Sequence, residues 1–266
     1  MGIKIKLALG LLTALCAGSL SAQDVFKPVK TTDLTPSKRI SLVQGAFLFK
    51  GATAYVSPQT FVLDPAKKYE LSGEFCQKSG KPVSILFGFI PQDAKGANIT
   101  SGSVLVAPHS IIATAAAAKK GDKVIKVKDA SKWSGGKRAS YVAFGAKKDF
   151  SDLPNRDIIA VAAPGIKQNN GVWEITLKAP LKKDVAAGTL VRQHFPGGAF
   201  IYTISIPKLD NKWVARKGII SGMAKYGIPG NKLWPGTKKV KLLVYALRGD
   251  GTSEFMARNI KVTEVK

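Results

Sequence analysis

Residues able to do chemistry are few in this chain, and most of them are cationic. There are 2 histidines, His109 and His194, and 2 cysteines, Cys16 and Cys76. Serine hydrolysis needs a base beside its nucleophile, and no Gly-x-Ser-x-Gly elbow accompanies either histidine. Zinc takes three or four His, Cys or carboxylate ligands, and the scattered set does not supply them. Arg192, His194 and Tyr202 are the closest group: their even spacings would put them on one face of a continuous strand. A cation to neutralise a uronate, with His and Tyr to move a proton, would suit a polysaccharide lyase; a structural cross-strand pair is the plainer alternative. Asp149, Asp152 and Asp157 form an oxygen-rich stretch, but Lys147, Lys148 and Arg156 beside them oppose calcium. No catalytic residue, metal ligand or cofactor is assigned.

The aromatics offer binding chemistry instead. A flat ring presents apolar area to the C–H face of a pyranose while polar neighbours take its hydroxyls. Trp173 alternates with Ile175 and Leu177 and reads as core, and Trp133 reads as a staple after the Asp129-Ala130-Ser131 turn. Trp213 and Trp234 fall at strand edges. With Tyr226, Arg192, His194 and Tyr202 they make up the candidate ligand-binding set.

Charge narrows the ligand. Lys and Arg number 41 against 17 Asp and Glu, a formal net charge of +24. Such a surface attracts polyanions by its long-range field and by counterion release. No helix-turn-helix, zinc finger or RNA-recognition signature is present, so nucleic acid is not expected as a specific partner. Sulfated or uronic polysaccharide and an anionic envelope surface are the expected partners, and oligomeric state is left open.

The elements that must hold these residues are strands. Tyr69, Leu71, Gly73 and Phe75 alternate with Glu70, Ser72 and Glu74. Val83, Ile85, Phe87 and Phe89 repeat the period, as do Trp173, Ile175 and Leu177; Phe200, Tyr202, Ile204 and Ile206; and Val240, Leu242 and Val244. Alternation over such lengths predicts half-buried antiparallel strands. Asn170-Gly171 and Asp250-Gly251 predict tight hairpins with positive φ. No long amphipathic helix is evident, and Ala113–Lys120 reads as a crossing linker or one short turn.

Residues 1–22 follow the order of a secretory leader: Lys4 and Lys6, then apolar Leu7–Leu20, then Ser21-Ala22. Cleavage near Ala22 would leave one cysteine, Cys76, a small buried hydrophobe in the plain reading. It would also leave a charge of +22. Beyond the leader, residues 23–112 and 195–266 read as one discontinuous β-sandwich. Residues 113–194, rich in lysine and short strands, read as an inserted, small β-barrel-like module. The basic excess is shared among all three stretches rather than held in a tail.

The run from Phe61 to Phe75, with its Pro65-Ala66-Lys67-Lys68-Tyr69 turn into an alternating strand, resembles an early strand of galactose-binding-like, jelly-roll carbohydrate-binding modules. Trp234–Tyr245 and Phe255–Val262 resemble the last two strands of that family. The resemblance implies an antiparallel, jelly-roll-type sandwich and non-catalytic sugar binding. Arg258-Asn259-Ile260 stands where such modules often carry an Asp pair, so a structural calcium ligand is not carried over. The expectation is an all-β, secreted protein that binds anionic polysaccharide. A structural or adhesive cell-surface protein and a jelly-roll polysaccharide lyase are the alternatives.

Overall fold

The computed structural model describes residues 23–134 and 138–266; the expected leader, 1–22, lies outside them. The chain is an all-β protein. Its described strands, numbered in chain order, form three antiparallel sheets.

Two sheets lie face to face as a sandwich. One holds β1 (Gln23–Phe26), β2 (Ile40–Val43), β3 (Ala46–Lys50), β5 (Lys68–Ser79), β14 (Val214–Ser221) and β16 (Glu254–Val265). Its order is β14-β5-β16-β3-β2, with β1 alongside β16. The other is β13-β6-β15-β4, built from β4 (Ala54–Val56), β6 (Ser84–Gln92), β13 (Ile201–Ile206) and β15 (Lys239–Leu247). The period-two pattern explains the packing. Tyr69, Leu71 and Phe75 of β5 turn inward and meet Ile85, Phe87 and Phe89 of β6. Phe75 and Phe87 touch edge to face across the sheets at 5.3 Å, and Phe49 stacks on Phe255 at 4.7 Å. Each such ring contributes about 1.5–3 kcal/mol by leaving water.

The third sheet is built from the middle of the chain. It comprises β7 (Ile112–Ala113), β8 (Val124–Val127), β9 (Tyr141–Phe144), β10 (Ile158–Asn169), β11 (Val172–Leu177) and β12 (Leu190–His194). The order is β7-β12-β9-β10-β11-β8. Its two ends meet: Thr114 bridges Val127, the Ala115 N–H donates to the Lys126 carbonyl at 2.8 Å, and the Lys128 N–H donates to the Ala113 carbonyl at 3.0 Å. The sheet therefore closes on itself around a separate core that includes Ile125, Val142, Phe144, Ile175 and Val191. Trp133 is buried there, its Nε1–H donating to the Ser110 carbonyl at 2.8 Å, and Trp173 packs at the margin.

The chain enters and leaves this third sheet along paired segments. Val106 bridges His194, the Ala107 N–H donates to the Gln193 carbonyl, and the Phe195 N–H donates to the Leu105 carbonyl, both at 2.9 Å. A four-residue helix, α1 (Ser101–Val104), precedes the incoming segment.

Two turn and register expectations divide here. Asn170 and Gly171 both take positive φ, 46° and 79°, and join β10 to β11 as a tight hairpin. Asp250-Gly251 does not repeat this. Positive φ falls on Arg248, and the Asp250 carboxylate ties the loop by accepting from the Thr252 N–H at 2.9 Å. In β13 the expected alternation also fails, because a bulge between Tyr202 and Ile204 shifts the register. Ile201 is thereby turned into the core, and Tyr202 is left partly exposed.

Gly88 marks the place where β6 passes under that bulge, since a Cβ there would fall on the Ile201 carbonyl oxygen. Gly88→Ala is expected to destabilise the protein by about 1–3 kcal/mol through backbone overlap. Urea unfolding of the variant checks this, and a midpoint like that of the wild type would contradict it.

Candidate functional site

A cavity of about 200 Å³ opens between the closed sheet and the sandwich. Three segments bound it: the incoming segment Val106–Ile111, the loop carrying Lys147, Lys148 and Phe150, and Tyr226 from the sandwich. Arg192 of β12 lies in its wall.

Arg192 is the central feature, with a guanidinium cation only 2 % exposed. A buried cation is strongly unfavourable unless paired and hydrogen-bonded. Three contacts meet that need. Nη2–H donates to Asp152 Oδ2 at 2.7 Å, Nη1–H donates to the Lys147 carbonyl at 3.1 Å, and Nε–H donates to His194 Nε2 at 3.0 Å. Burial pushes the Asp152 carboxyl upward. Hydrogen bonds from Asn155 and the Lys147 N–H, with the charge of Arg192, outweigh it and hold Asp152 below its ordinary value.

His194 is wholly buried, and both its ring nitrogens are engaged. Nε2 accepts from Arg192, so Nδ1 carries the proton and donates to the Gly102 carbonyl at 2.8 Å. This is the neutral tautomer. Burial pushes its pKa down to about 4; the Gly102 hydrogen bond opposes that shift and the Arg192 charge adds to it.

The loop beside Arg192 is shaped by its own acids. Asp152 Oδ1 accepts from the Lys147 N–H and Asp149 Oδ1 from the Ser151 N–H, both at 3.0 Å. These ties hold Phe150 at a φ of 68°, a left-handed conformation that costs a non-glycine residue about 1–2 kcal/mol. The ring so placed stacks on Tyr226, with centroids 4.8 Å apart and planes 28° from parallel. Arg192 lies 5.1 Å and Lys225 Nζ 5.4 Å from its centroid. The result is an apolar wall between cations, with Lys147, Lys148 and His109 exposed at the mouth. The arrangement can hold an anion that carries an apolar face.

The sequence candidates separate on the structure. Arg192 and His194 are together, as their spacing on one strand face requires. Tyr202 is not with them: the chain breaks strand structure between β12 and β13, and Tyr202 belongs to a sandwich sheet. The three do not form a lyase-like group. Tyr226, 45 % exposed, does line the cavity. Trp234 is fully buried in the main core, with its Nε1–H donating to the Pro229 carbonyl at 3.3 Å, so its faces cannot meet a ligand. It turns inward because the segment before β15 must cap the apolar interior. Trp213 is 37 % exposed just before β14, outside the cavity, with the Arg258 guanidinium 4.3 Å over its ring. Asp149, Asp152 and Asp157 do not converge: Asp157 pairs instead with Lys183 at 2.9 Å. Cys76 is buried and free, its thiol pushed up by burial.

Phe150 and Lys225 carry no mark among the sequence candidates, and Lys147 and Lys148 stand there only as cations opposing calcium. One signal was there, a lone aromatic within Lys147-Lys148-Asp149-Phe150-Ser151-Asp152. An apolar ring in so charged a loop has to find cover or a ligand.

His194 makes stability depend on pH. Its native pKa lies below the ordinary 6.5, so the unfolded chain binds the extra proton first. Its contribution is therefore complete above pH 6.5 and is lost as pH falls toward about 4. The loss is about 3 kcal/mol over that window. Asp152 adds its own loss only below its ordinary 3.8. Urea unfolding across the window should show the decline, and His194→Gln should lower stability at neutral pH while flattening it. An unchanged slope in the variant would contradict this account of His194.

No family model, curated protein or solved structure matches this chain.

Proposed function

We propose that this protein is exported, is not an enzyme, and binds anionic polysaccharide, with the cavity beside Arg192 as its recognition site. The carrying observation is a buried, hydrogen-bonded guanidinium in a cavity wall, flanked by an aromatic pair and exposed lysines. A protein that only needed solubility would keep its cations in water. Here one is held out of water at a cost, with an apolar wall next to it. An acidic sugar matches both parts, since its anion meets the cations and its C–H face meets the rings.

The wider charge supports the same reading. The +22 expected after leader removal would concentrate polyanions near the surface before any specific contact forms. Uronic or sulfated polymers, or an anionic envelope surface, are the polyanions such a protein would meet outside the cytoplasm. The non-catalytic reading is favoured because His194 has both ring nitrogens engaged and is closed to solvent. It has no lone pair or proton to offer a substrate.

Residues 113–194 fit the same proposal as a module inserted into the sandwich. Produced alone from Val106 to Phe195, which keeps Ile112 of β7 and the paired entry and exit segments, it should give a dispersed amide NMR spectrum, because its core is separate from that of the sandwich. A collapsed spectrum would remove the modular reading.

Binding is tested by retention on immobilised uronic, sulfated and neutral polysaccharides at low and moderate salt. The acidic polymers should retain the protein at low salt and hold a reduced part of it at moderate salt. Replacing Lys147, Lys148 and Lys225 together by glutamine should weaken retention about tenfold, as expected for charges at a binding rim. Absence of retention on every polymer at low salt would overturn the proposal.

A further inference from the structure

We propose that the far end of the sandwich carries a second anion-binding position, so that one molecule bridges two stretches of acidic polysaccharide; this rests on the polysaccharide-binding reading above. The place is an open hollow of about 260 Å³ lined by Lys81, Pro82, Ser84, Pro207, Lys208 and Arg248. Each cation comes from a different loop: Lys81 between β5 and β6, Lys208 between β13 and β14, and Arg248 between β15 and β16. All three are exposed, as are Pro82 and Pro207.

These charges lack acidic partners. No carboxylate lines the hollow, and among the described residues none of the three cations is in an ion pair. Asp250 feels the charge of Lys81, but its carboxylate is taken up inside its own loop by the Thr252 N–H at 2.9 Å and the Thr252 hydroxyl at 2.7 Å. Like charges around one hollow repel, and an anion seated among them would relieve that repulsion. The two proline rings add apolar surface for the body of a sugar. A lipid surface would call for large exposed apolar side chains among the cations, and the lining has none.

The three loops are fastened to one another by buried groups. The Lys81 carbonyl accepts from the Ser253 hydroxyl at 2.8 Å and from Gln77 Nε2–H at 3.2 Å. The Val83 carbonyl accepts from the Leu209 N–H at 2.8 Å, and the Ser84 hydroxyl donates to the Pro207 carbonyl. Ser253, Ser84 and Gln77 are all buried. Arg248 is held at a φ of 63°, which a residue with a Cβ rarely adopts. The backbone under the cations is therefore set before a ligand arrives.

Position supplies the bridging. β6 runs from Ser84, at this hollow, to Gln92, next to which Asp93 pairs at 2.7 Å with Arg156 from between β9 and β10 of the closed sheet. β15 lies antiparallel beside it, pairing Leu247 with Ser84 and Lys239 with Gln92. The hollow and the cavity at the closed sheet thus lie toward opposite ends of the sandwich, separated by roughly the length of β6, about 26 Å at about 3.3 Å per residue. Two cationic positions so placed engage separate stretches of polymer, and a polymer with many acidic groups is then cross-linked.

Titrating polygalacturonate with the full protein tests this. Light scattering should pass through a maximum as the polymer is cross-linked and fall when protein is in excess. Lys81→Gln, Lys208→Gln and Arg248→Gln together should cut that maximum at least tenfold, with the urea midpoint unchanged and the variant still retained on immobilised polymer at low salt. Lys81→Gln with Lys208→Gln, which leaves Arg248 in its turn, should give most of this loss. Lys120→Gln, Lys123→Gln and Lys182→Gln together remove the same charge from exposed positions on the closed sheet and should scatter like the wild type. Equal loss in that control would reduce the effect to general charge and overturn the inference, as would wild-type scattering by the distal variant. Loss of binding to phosphatidylglycerol vesicles, with polymer scattering unchanged, would assign the position to a lipid surface instead. If the wild type is retained on polymer but never scatters, bridging fails and the polysaccharide reading stands. If nothing is retained, both fail.

Discussion

A single buried cation organises the region where the closed sheet meets the sandwich. Arg192 cannot be left unpaired away from water, and its partners come from separate parts of the chain. Asp152 and the Lys147 carbonyl come from one loop, and His194 from the same strand. His194 is anchored in turn by the Gly102 carbonyl at the helix that opens the incoming segment. Compensating one charge therefore fixes the loop that carries Phe150, the strand that carries Arg192 and the segment that crosses between the sheets. The cavity is what these three leave between them.

The arrangement separates holding from contacting. Asp152 and His194 set the position of the buried guanidinium in the cavity wall. Burial makes this support rigid, because unsatisfied groups would be expensive in a medium of low polarity. Lys147, Lys148 and Lys225 are exposed, and their charge adds to the positive potential around the cavity. The cavity thus has one buried cation in its wall and three exposed cations around it.

Much of the fold was legible in the sequence, because burial on one face of a strand writes itself as alternation. Tyr69, Leu71 and Phe75, and Ile85, Phe87 and Phe89, point inward as their period requires. The hairpin at Asn170-Gly171 was legible because both positions demand a left-handed backbone. Asp250-Gly251 was misread because the same dipeptide can act through the Asp carboxylate, which here accepts from Thr252. Tyr202 was misplaced because even spacing implies a shared face only while the strand is unbroken; Pro196-Gly197-Gly198 marks the break after His194, and the bulge at Tyr202–Ile204 has no local marker. Trp234 was misjudged because a tryptophan before Pro-Gly reads equally as an edge or a cap. The site was legible in part: Arg192, His194 and Tyr226 were named, but the contact of Tyr226 with Phe150 joins residues far apart in sequence, and only folding brings them together.

The closed sheet also differs from the sandwich in what it leaves open. Among the described residues its first and last strands meet and share backbone hydrogen bonds. Among the described residues the sandwich sheets end instead in edge strands, β2 and β14 in one sheet and β13 and β4 in the other. Of these, β2 is four residues long, and β14 displays Arg216 and Lys217 to solvent. When two copies approach rim to rim, these cations face their counterparts and resist stacking into fibrils. Part of the basic excess thus guards the molecule against itself, a protection that a bound polyanion would neutralise wherever it covered that rim.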